Sequence, residues 1–226
     1  MLKAVIFDVD GTLVDSVDIH AQAWVDAFKE FGHDVGFEAV RGQIGKGGDQ
    51  LMPVFLSKEE LDDKGDDLNE RRGKILKESY LSRIKPFADV RALFERIKAD
   101  GMRIVLASSA KADELETYKK IADIEGLTDA ETSSDDAEAS KPEPDIFEAA
   151  MARIGGIGPD EVIVIGDTPY DAEAAAKAGL RTIGVLCGGF SRDSLQKAGC
   201  IAIYEGPTDL LAQYDRSPFA SNPARS

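Results

Sequence analysis

The stretch Val5-Ile6-Phe7-Asp8-Val9-Asp10-Gly11-Thr12 joins a short apolar run to two aspartates and a glycine. Short runs of branched apolar residues are typical of strands that are buried on both faces, as in a parallel sheet covered by helices. Alternation along an extended chain directs Asp8 and Asp10 to the same side, and Gly11 allows the backbone to turn sharply. Ligands of open α/β sheets bind at the carboxyl ends of strands, so we predict a functional site here.

Three later apolar runs, at residues 104–106, 162–165 and 182–185, predict further strands of the same kind. Helical patterns lie between them. In residues 90–97 apolar side chains recur at helical spacing, and Gly101 follows where a helix C-cap glycine is expected. Alternating strands and helices imply right-handed crossovers, so the predicted fold is a doubly wound, Rossmann-like α/β parallel sheet.

An insertion interrupts this alternation, because roughly 95 residues separate the first two strands and a crossover needs far fewer. Apolar residues at helical spacing in 17–31 predict a first helix, and residues 51–56 and 75–80 fit further short helices. We therefore predict an α/β catalytic core of residues 1–15 and 86–226 and a small all-helical cap domain of residues 16–85.

Composition and charge exclude several classes of protein. The chain has 27 Lys and Arg against 42 Asp and Glu, a net charge of −15, which disfavours nucleic acid and anionic membranes as partners. The run before Asp8 is too short for a signal peptide and no run is long enough to span a bilayer, so a cytoplasmic protein is predicted. Cys187 and Cys200 fit neither a disulfide framework nor a metal site and are interpreted as small apolar side chains near two late strands. The Pro- and Ser-containing tail, residues 216–226, is expected to be loosely held.

Two further motifs carry groups that suit a phosphate. Ser108-Ser109 follows the second predicted strand, where a hydroxyl and free backbone N–H groups form a phosphate cradle, although a plain helix cap is the alternative. Lys141 stands directly before the first of two prolines, which stiffen an extended segment and offer the ammonium just before a helix. A functional cation is favoured here over a solvated surface lysine.

The stretch Gly166-Asp167-Thr168-Pro169-Tyr170-Asp171 follows the most apolar of the predicted strands. Asp167 at the strand end can join Asp8 around a hard cation, and oxygen ligands without His or Cys indicate magnesium. Thr168 and Asp171 also match a capping box, in which the carboxylate satisfies the start of a helix. Metal binding and helix capping by Asp171 both stay open.

Taken in order, the stretch from Asp8 to Ser16, Ser108, Lys141 and the stretch from Gly166 to Asp171 resemble the four motifs of the haloacid dehalogenase superfamily. The resemblance extends from about Lys3 to Tyr204, and the helical insertion is similar to the small cap domain of that family. It implies a magnesium-dependent phosphoric monoester hydrolase that works through an aspartyl-phosphate intermediate.

The resemblance also implies roles for the individual residues. Asp8 would be the nucleophile and Asp10 the general acid and base, a role for which we expect a raised pKa. Ser108 would bind the phosphate, and Lys141 would steady the charge of the nucleophile and of the phosphoryl group. The magnesium site would be formed by Asp8, Asp10, Asp167 and Asp171. In this site Asp10 would contribute its main-chain carbonyl, and Asp171 would support the other residues.

Substrate recognition is predicted to involve the cap and the loops that face it. His20, four residues before Trp24, is similar in position to a residue of β-phosphoglucomutase-like members, although a partly exposed filler is the alternative. Lys46, in the flexible Gly45–Gly48 loop, is a candidate for binding a second anionic group, with a solvated lysine as the alternative. The predicted substrate-binding residues are Gly11, Thr12, His20, Lys46, Gly47 and Ser109.

The predicted substrate is a small phosphorylated metabolite, a sugar phosphate or a phosphoglycolate-like compound, and the predicted assembly is a monomer. A phosphohexomutase is the main alternative, but Thr12 and Gly166-Asp167 depart from the mutase pattern and favour a phosphatase. A phospho-receiver domain would have ~120 residues, adjacent acids and no cap. An inactive binding protein on this fold is disfavoured because every motif residue is present, and Asp10 argues against carbon–halogen cleavage because dehalogenases of the family lack it.

Overall fold

The centre of the molecule is a six-stranded parallel sheet, seen in a computed structural model that describes residues 1–221. In chain order the strands are β1 (Ala4–Phe7), β2 (Val14–Asp15), β3 (Lys85–Pro86), β4 (Arg103–Ala107), β5 (Ala130–Thr132), β6 (Val162–Gly166), β7 (Arg181–Val185) and β8 (Ala202–Tyr204). The sheet has the order β5-β4-β1-β6-β7-β8, with β1 between β4 and β6. The ends of these three central strands therefore meet at one edge.

Helices cover both faces of the sheet. In chain order the α-helices, of which α1 to α4 lie in the inserted segment, are α1 (Val17–Glu30), α2 (Phe37–Arg41), α3 (Gly48–Leu51), α4 (Lys58–Ile75), α5 (Val90–Ala99), α6 (Ala112–Ile121), α7 (Asp145–Ile154), α8 (Pro169–Lys177), α9 (Arg192–Lys197) and α10 (Pro207–Ala212). Alternate residues of β1 belong to two different apolar clusters: Val5 and Phe7 pack with α5 and α6, and Ala4 and Ile6 pack with α7 and α8. The predicted doubly wound α/β fold is confirmed.

The inserted segment has an apolar core of its own. Side chains between Val17 and Leu76, including Trp24 and Phe28, form a cluster separate from the two that cover the sheet. The chain leaves and re-enters the sheet domain through a two-residue antiparallel ribbon, in which Val14 pairs with Pro86. The predicted division at residues 16 and 85 stays a prediction, which this separate core supports.

The structure adds one helix and corrects one expectation. Residues 58–74, for which the sequence pattern predicts no element, form most of an 18-residue helix, Lys58–Ile75, whose few buried positions leave little apolar periodicity. The short helices predicted in 51–56 and 75–80 are present as Met52–Val54 and Leu76–Tyr80. The start of the tail is ordered: Pro218–Ser221 form a short helical turn, and Phe219 is 1% exposed and stacks on Tyr214 with ring centroids 5.0 Å apart. Residues 222–226 of the predicted loose tail lie outside the described residues.

Both cysteines are free and partly buried, in agreement with their interpretation as small apolar side chains. Cys187 follows β7 and contacts the main-chain oxygen of Gly11 at 3.2 Å, and Cys200 precedes β8. In residues 1–221 no helix combines the length and the apolar character that crossing a bilayer requires.

Candidate active site

Asp8 follows β1 directly and is 6% exposed. Its Oδ1 lies 2.5 Å from Nζ of Lys141, and its Oδ2 accepts a hydrogen bond from the hydroxyl of Thr12 at 3.2 Å. Burial raises the pKa of Asp8 to about 7, against the opposing charge of Lys141. The predicted nucleophile is thus held at a strand end with one oxygen against a cation.

Lys141 reaches Asp8 across 133 positions of sequence, from the loop before α7, and it is fully buried. Its Nζ also lies 2.8 Å from Oδ1 of Asp171 and donates to the main-chain oxygen of Ala107 at 3.2 Å. Burial works against the charge of Lys141, but the carboxylates of Asp171 and Asp8 prevail and raise its pKa. A buried lysine held in this way stays charged and offsets part of the negative charge of the site.

Asp8, Asp167 and Asp171 form a buried carboxylate cluster in which the facing oxygens lie within 4.8 Å of one another. The Thr12 hydroxyl is 3.0 Å from Oδ1 of Asp167, whereas Oδ2 of Asp167 has no hydrogen-bond partner among residues 1–221. Burial and the charge of Asp8 raise the pKa of Asp167 well above its usual value. A divalent cation would relieve this repulsion and satisfy the free oxygen, and an all-oxygen donor set fits Mg²⁺.

Close backbone approach shapes the surroundings of Asp167. Gly11 has a φ of +79°, and a Cβ at Gly11 or at Gly188 would collide with the Asp167 carboxylate. Gly11 and Thr12 therefore serve the carboxylate cluster in this structure, and their predicted contact with substrate stays a prediction.

Asp171 uses both of its carboxylate oxygens within the protein. Oδ2 accepts hydrogen bonds from the backbone N–H and the hydroxyl of Thr168, at 3.0 and 2.7 Å, which forms the capping box at the start of α8. Oδ1 forms the ion pair with Lys141. These contacts favour a supporting role in which Asp171 orients Lys141 beside the carboxylates of Asp8 and Asp167.

The Asp10 carboxylate is directed to the cap and lies outside the carboxylate cluster. Its Oδ1 accepts a hydrogen bond from the Ser16 hydroxyl at 2.7 Å and lies 2.9 Å from Nε2 of His20. The same His20 nitrogen is 3.1 Å from the Tyr118 hydroxyl. Burial tends to raise the pKa of Asp10, but the charge and hydrogen bond of His20 and the hydrogen bond of Ser16 outweigh it and lower the pKa. The expectation of a raised pKa for Asp10 is therefore wrong, because the sequence did not reveal these partners.

Ser108 and Ser109 follow β4 at the same edge of the sheet. Ser108 is fully buried, and its Oγ accepts a hydrogen bond from the backbone N–H of Ala110 at 3.0 Å, which is the capping contact considered as the alternative. Its hydroxyl hydrogen is still available to a phosphate oxygen. Ser109 lines the cleft together with Asp8 and Asp10.

Comparison with known proteins identifies the family of this chain. A family model described as haloacid dehalogenase-like hydrolase matches residues 5–185. The chain belongs to this family. The resemblance seen in the four motifs and the predicted class of enzyme, a hydrolase of this superfamily, are confirmed.

Two relatives and one solved structure show the level of similarity. A phosphorylated carbohydrates phosphatase of Thermotoga maritima is 26% identical over 93% of this chain and 97% of the relative. A phosphoglycolate phosphatase of Aquifex aeolicus is 29% identical over 83% of this chain and 86% of the relative. The crystal structure of a hydrolase from Pseudomonas syringae has 30% identity and a TM-score of 0.87, covering 95% of this chain and 98% of that one.

The inserted segment of this haloacid dehalogenase-like hydrolase contributes part of the cleft wall. Lys46 donates to Oε1 of Gln43 at 2.7 Å, and its Nζ lies 4.7 Å from the ring centroid of Tyr170 on α8. Burial lowers the pKa of Lys46. Gly47 packs so tightly on Ser140, beside Lys141, that a Cβ there would collide with the serine hydroxyl. Lys46 and Gly47 both line the cleft, in agreement with their predicted position.

Sequence reasoning missed two residues that line the cleft, Arg72 and Glu114. It also missed Tyr118 and Tyr170, which contact the lining residues His20 and Lys46. Tyr118 and Glu114 lie on α6 and Arg72 lies on α4, where they form part of ordinary charged or amphipathic helix surfaces. Tyr170 stands inside the fourth motif, and its hydroxyl donates to the main-chain oxygen of Gly42 at 2.6 Å. Its position next to Asp171 was the one signal that could have identified any of these residues.

Proposed function

We propose that this protein is a magnesium-dependent phosphatase that hydrolyses a small phosphorylated metabolite through an aspartyl-phosphate on Asp8. The observation that carries the proposal is the contact of Asp8 with Lys141 inside the buried carboxylate cluster. A carboxylate attacks a dianionic phosphate only when its charge is offset, and this site offers both a lysine and ligands for a cation. The phosphatase names of the Thermotoga and Aquifex relatives support chemistry on a phosphate ester.

The proposed reaction consists of two displacements at phosphorus. In the first, a carboxylate oxygen of Asp8 bonds to phosphorus as the ester oxygen leaves and takes a proton from Asp10. In the second, Asp10 takes a proton from water, whose oxygen bonds to phosphorus and releases Asp8 with inorganic phosphate. Lys141 and the hydroxyl of Ser108 bind phosphoryl oxygens, and Asp171 keeps Lys141 oriented.

Magnesium would be held by Asp8 and Asp167 together with the main-chain oxygen of Asp10, and it would neutralise phosphoryl charge. Since the pKa of Asp10 is lowered, the proton that Asp10 passes to the leaving group is supplied across the hydrogen bond from Nε2 of His20, which lies 2.9 Å from Oδ1 of Asp10. The hydrogen bond with His20 holds this carboxylate in place at the wall of the cleft. His20 is thereby a positioning residue for Asp10.

Removal of the metal is the direct test of this proposal. We expect treatment with a chelator to lower phosphate release from an aryl phosphate by about a hundredfold or more, and added Mg²⁺ to restore it. The melting temperature should also rise on addition of Mg²⁺, since a ligand that binds the folded state stabilises it. Full activity after exhaustive chelation would contradict the metal assignment.

A phosphohexomutase remains the alternative function, and the surroundings of Gly166 argue against it. A Cβ at this position would lie 2.6 Å from Cβ of Asp171, so the acidic pair of the mutase pattern does not fit without movement of α8. Product analysis with a sugar phosphate separates the two activities. Inorganic phosphate in equal amount to substrate consumed supports the phosphatase, and an isomeric sugar phosphate supports the mutase.

Substitution of Lys46 tests the contribution of the cap to substrate binding. We expect Lys46→Ala to raise the KM for the preferred metabolite roughly tenfold with a smaller change in kcat, because binding common to ground and transition states is lost. An aryl phosphate, which lacks the natural leaving group, should respond less. Lys58→Ala, at an exposed position of α4, is the matched control. A proportional fall for both substrates would remove Lys46 from substrate recognition.

A further inference from the structure

A second polar pair, Arg72 of α4 and Glu114 of α6, lines the cleft that contains Asp8 and Asp10. Glu114 is 3% exposed, and the side chain of Arg72 is 14% exposed. The closest approach, from NH1 of Arg72 to Oε2 of Glu114, is 3.9 Å. This distance permits attraction between the charges but is too long for a direct hydrogen bond.

The pair has unused hydrogen-bonding capacity. Oε2 of Glu114 and Nε of Arg72 are buried and have no hydrogen-bond partner within the part of the chain that the structure describes, residues 1–221. A buried polar atom without a partner costs free energy, most of all when it belongs to a charged group. Polar atoms of this kind at the wall of a cleft indicate a ligand that supplies the missing partners.

Neighbouring residues hold the pair in a position that suits a leaving group. The Arg72 guanidinium lies 5.1 Å from the centroid of Trp24, a cation–π distance that restrains it. Glu114 lies in the first turn of α6, directly after the loop that carries Ser109, and both residues line the cleft. A substrate whose phosphate lies between Asp8 and Ser109 therefore extends its leaving group along this wall of the cleft.

We propose that Arg72 and Glu114 form a leaving-group subsite that selects a neutral, polyhydroxylated leaving group. Arg72 donates to a hydroxyl oxygen, and Glu114 accepts the hydrogen of a hydroxyl. Because this inference names the substrate class of the proposed phosphatase, it rests on that function. The substrate class is the phosphate ester of a sugar or polyol.

Charge gives the subsite its selectivity. A leaving group that bears a carboxylate or a second phosphate would meet the buried carboxylate of Glu114, whose charge already offsets that of Arg72. Lys46 lies against Tyr170 of a different core helix, donates to Gln43 and has Glu173 as its neighbouring charge, whereas Arg72 is the cation beside Glu114. We therefore expect the enzyme to prefer a hexose phosphate to phosphoglycolate.

The test compares kcat/KM for a hexose phosphate and for phosphoglycolate in the wild type and in Glu114→Gln. The ratio of hexose phosphate to phosphoglycolate should fall about tenfold or more in the variant, because an acceptor for the sugar hydroxyl weakens and the repulsion of a carboxylate is removed. Arg72→Gln should raise the KM for the hexose phosphate, because it removes the guanidinium that donates to a hydroxyl oxygen of the leaving group. Thermal melting of each variant establishes that it is folded.

Asp113→Asn is the matched control, because Asp113 is adjacent on α6 and also pairs across to the cap, with Lys77 at 2.6 Å, but at an exposed position. It should leave the substrate ratio unchanged. An equal shift in Asp113→Asn would overturn the proposal, since the effect would then come from a weakened contact between cap and core. An unchanged ratio in folded Glu114→Gln would overturn it as well.

Inhibition of the wild type by free leaving groups tests the subsite without any substitution. Free hexose should inhibit aryl phosphate hydrolysis at lower concentration than glycolate, and stronger inhibition by glycolate would overturn the inference while the phosphatase function stands. Absence of phosphate release from every ester, including the aryl phosphate with Mg²⁺, would instead overturn the proposed function itself.

Discussion

Asp8→Asn is expected to abolish phosphate release while the protein stays folded. An amide does not form the acyl phosphate, and it is a poorer metal ligand than a carboxylate. We expect kcat/KM with an aryl phosphate and Mg²⁺ to fall on the order of a thousandfold or more, as for loss of a nucleophile in other enzymes. The fold should survive because Lys141 keeps its ion pair with Asp171 at 2.8 Å.

Two controls make this result decisive. Asp63→Asn removes a carboxylate from the exposed face of α4 and should leave turnover unchanged. Mass spectrometry of the Asp8→Asn variant detects deamidation of the introduced amide back to aspartate, and circular dichroism reports the fold. More than a few per cent of wild-type turnover in folded, undeamidated Asp8→Asn protein would contradict the role of Asp8 as nucleophile.

Asp10→Asn should show a loss that depends on the leaving group. An alkyl oxide needs a proton to depart, so turnover of an alkyl phosphate should fall by about a hundredfold to ten-thousandfold, the usual contribution of a general acid or base. An activated aryl oxide departs without a proton, so the aryl ester should lose much less in the step that forms the intermediate. The comparison uses kcat/KM for both esters with saturating Mg²⁺, because kcat/KM reports the steps up to formation of the intermediate and excludes the later hydrolysis in which Asp10 acts as the base.

Asp15→Asn is the matched control for Asp10, since Asp15 belongs to the same motif and is exposed. Its activity on both esters should equal that of the wild type. Equal losses on alkyl and aryl esters in Asp10→Asn would show that Asp10 does not act as the acid, and would instead indicate a structural role beside Ser16 and His20.

Much of the fold could be predicted because its signals are local. The four buried central strands stand out as apolar runs, and Gly101 has the positive φ of +78° that a helix C-cap glycine adopts. The edge strands β5 and β8 escaped detection because each has three residues and is only partly buried, so neither forms an apolar run. The end of the chain was mispredicted because Pro and Ser suggested a loose tail, whereas Phe219 buries its ring in the core.

In the candidate site, too, some features could be predicted from the sequence and others could not. The four motifs of the candidate site could be located because each follows a strand or precedes a helix, and parallel strands bring such ends to one edge of the sheet. The lowered pKa of Asp10 could not be predicted, since it depends on His20 in the cap. Likewise, the sequence did not decide between helix capping and metal binding for Asp171. The structure shows that one carboxylate oxygen caps α8 and the other pairs with Lys141.

The sequence by itself determined the sheet, the chemical groups at its edge and their order, because strand periodicity and residue type are properties of short segments. Tertiary structure decided which side chains of the cap meet which side chains of the core. His20 meets Tyr118 across 98 positions, Tyr170 meets Gly42 across 128, and Arg72 meets Glu114. Such contacts depend on how two separately packed apolar cores face each other, and no local pattern in the sequence encodes that orientation.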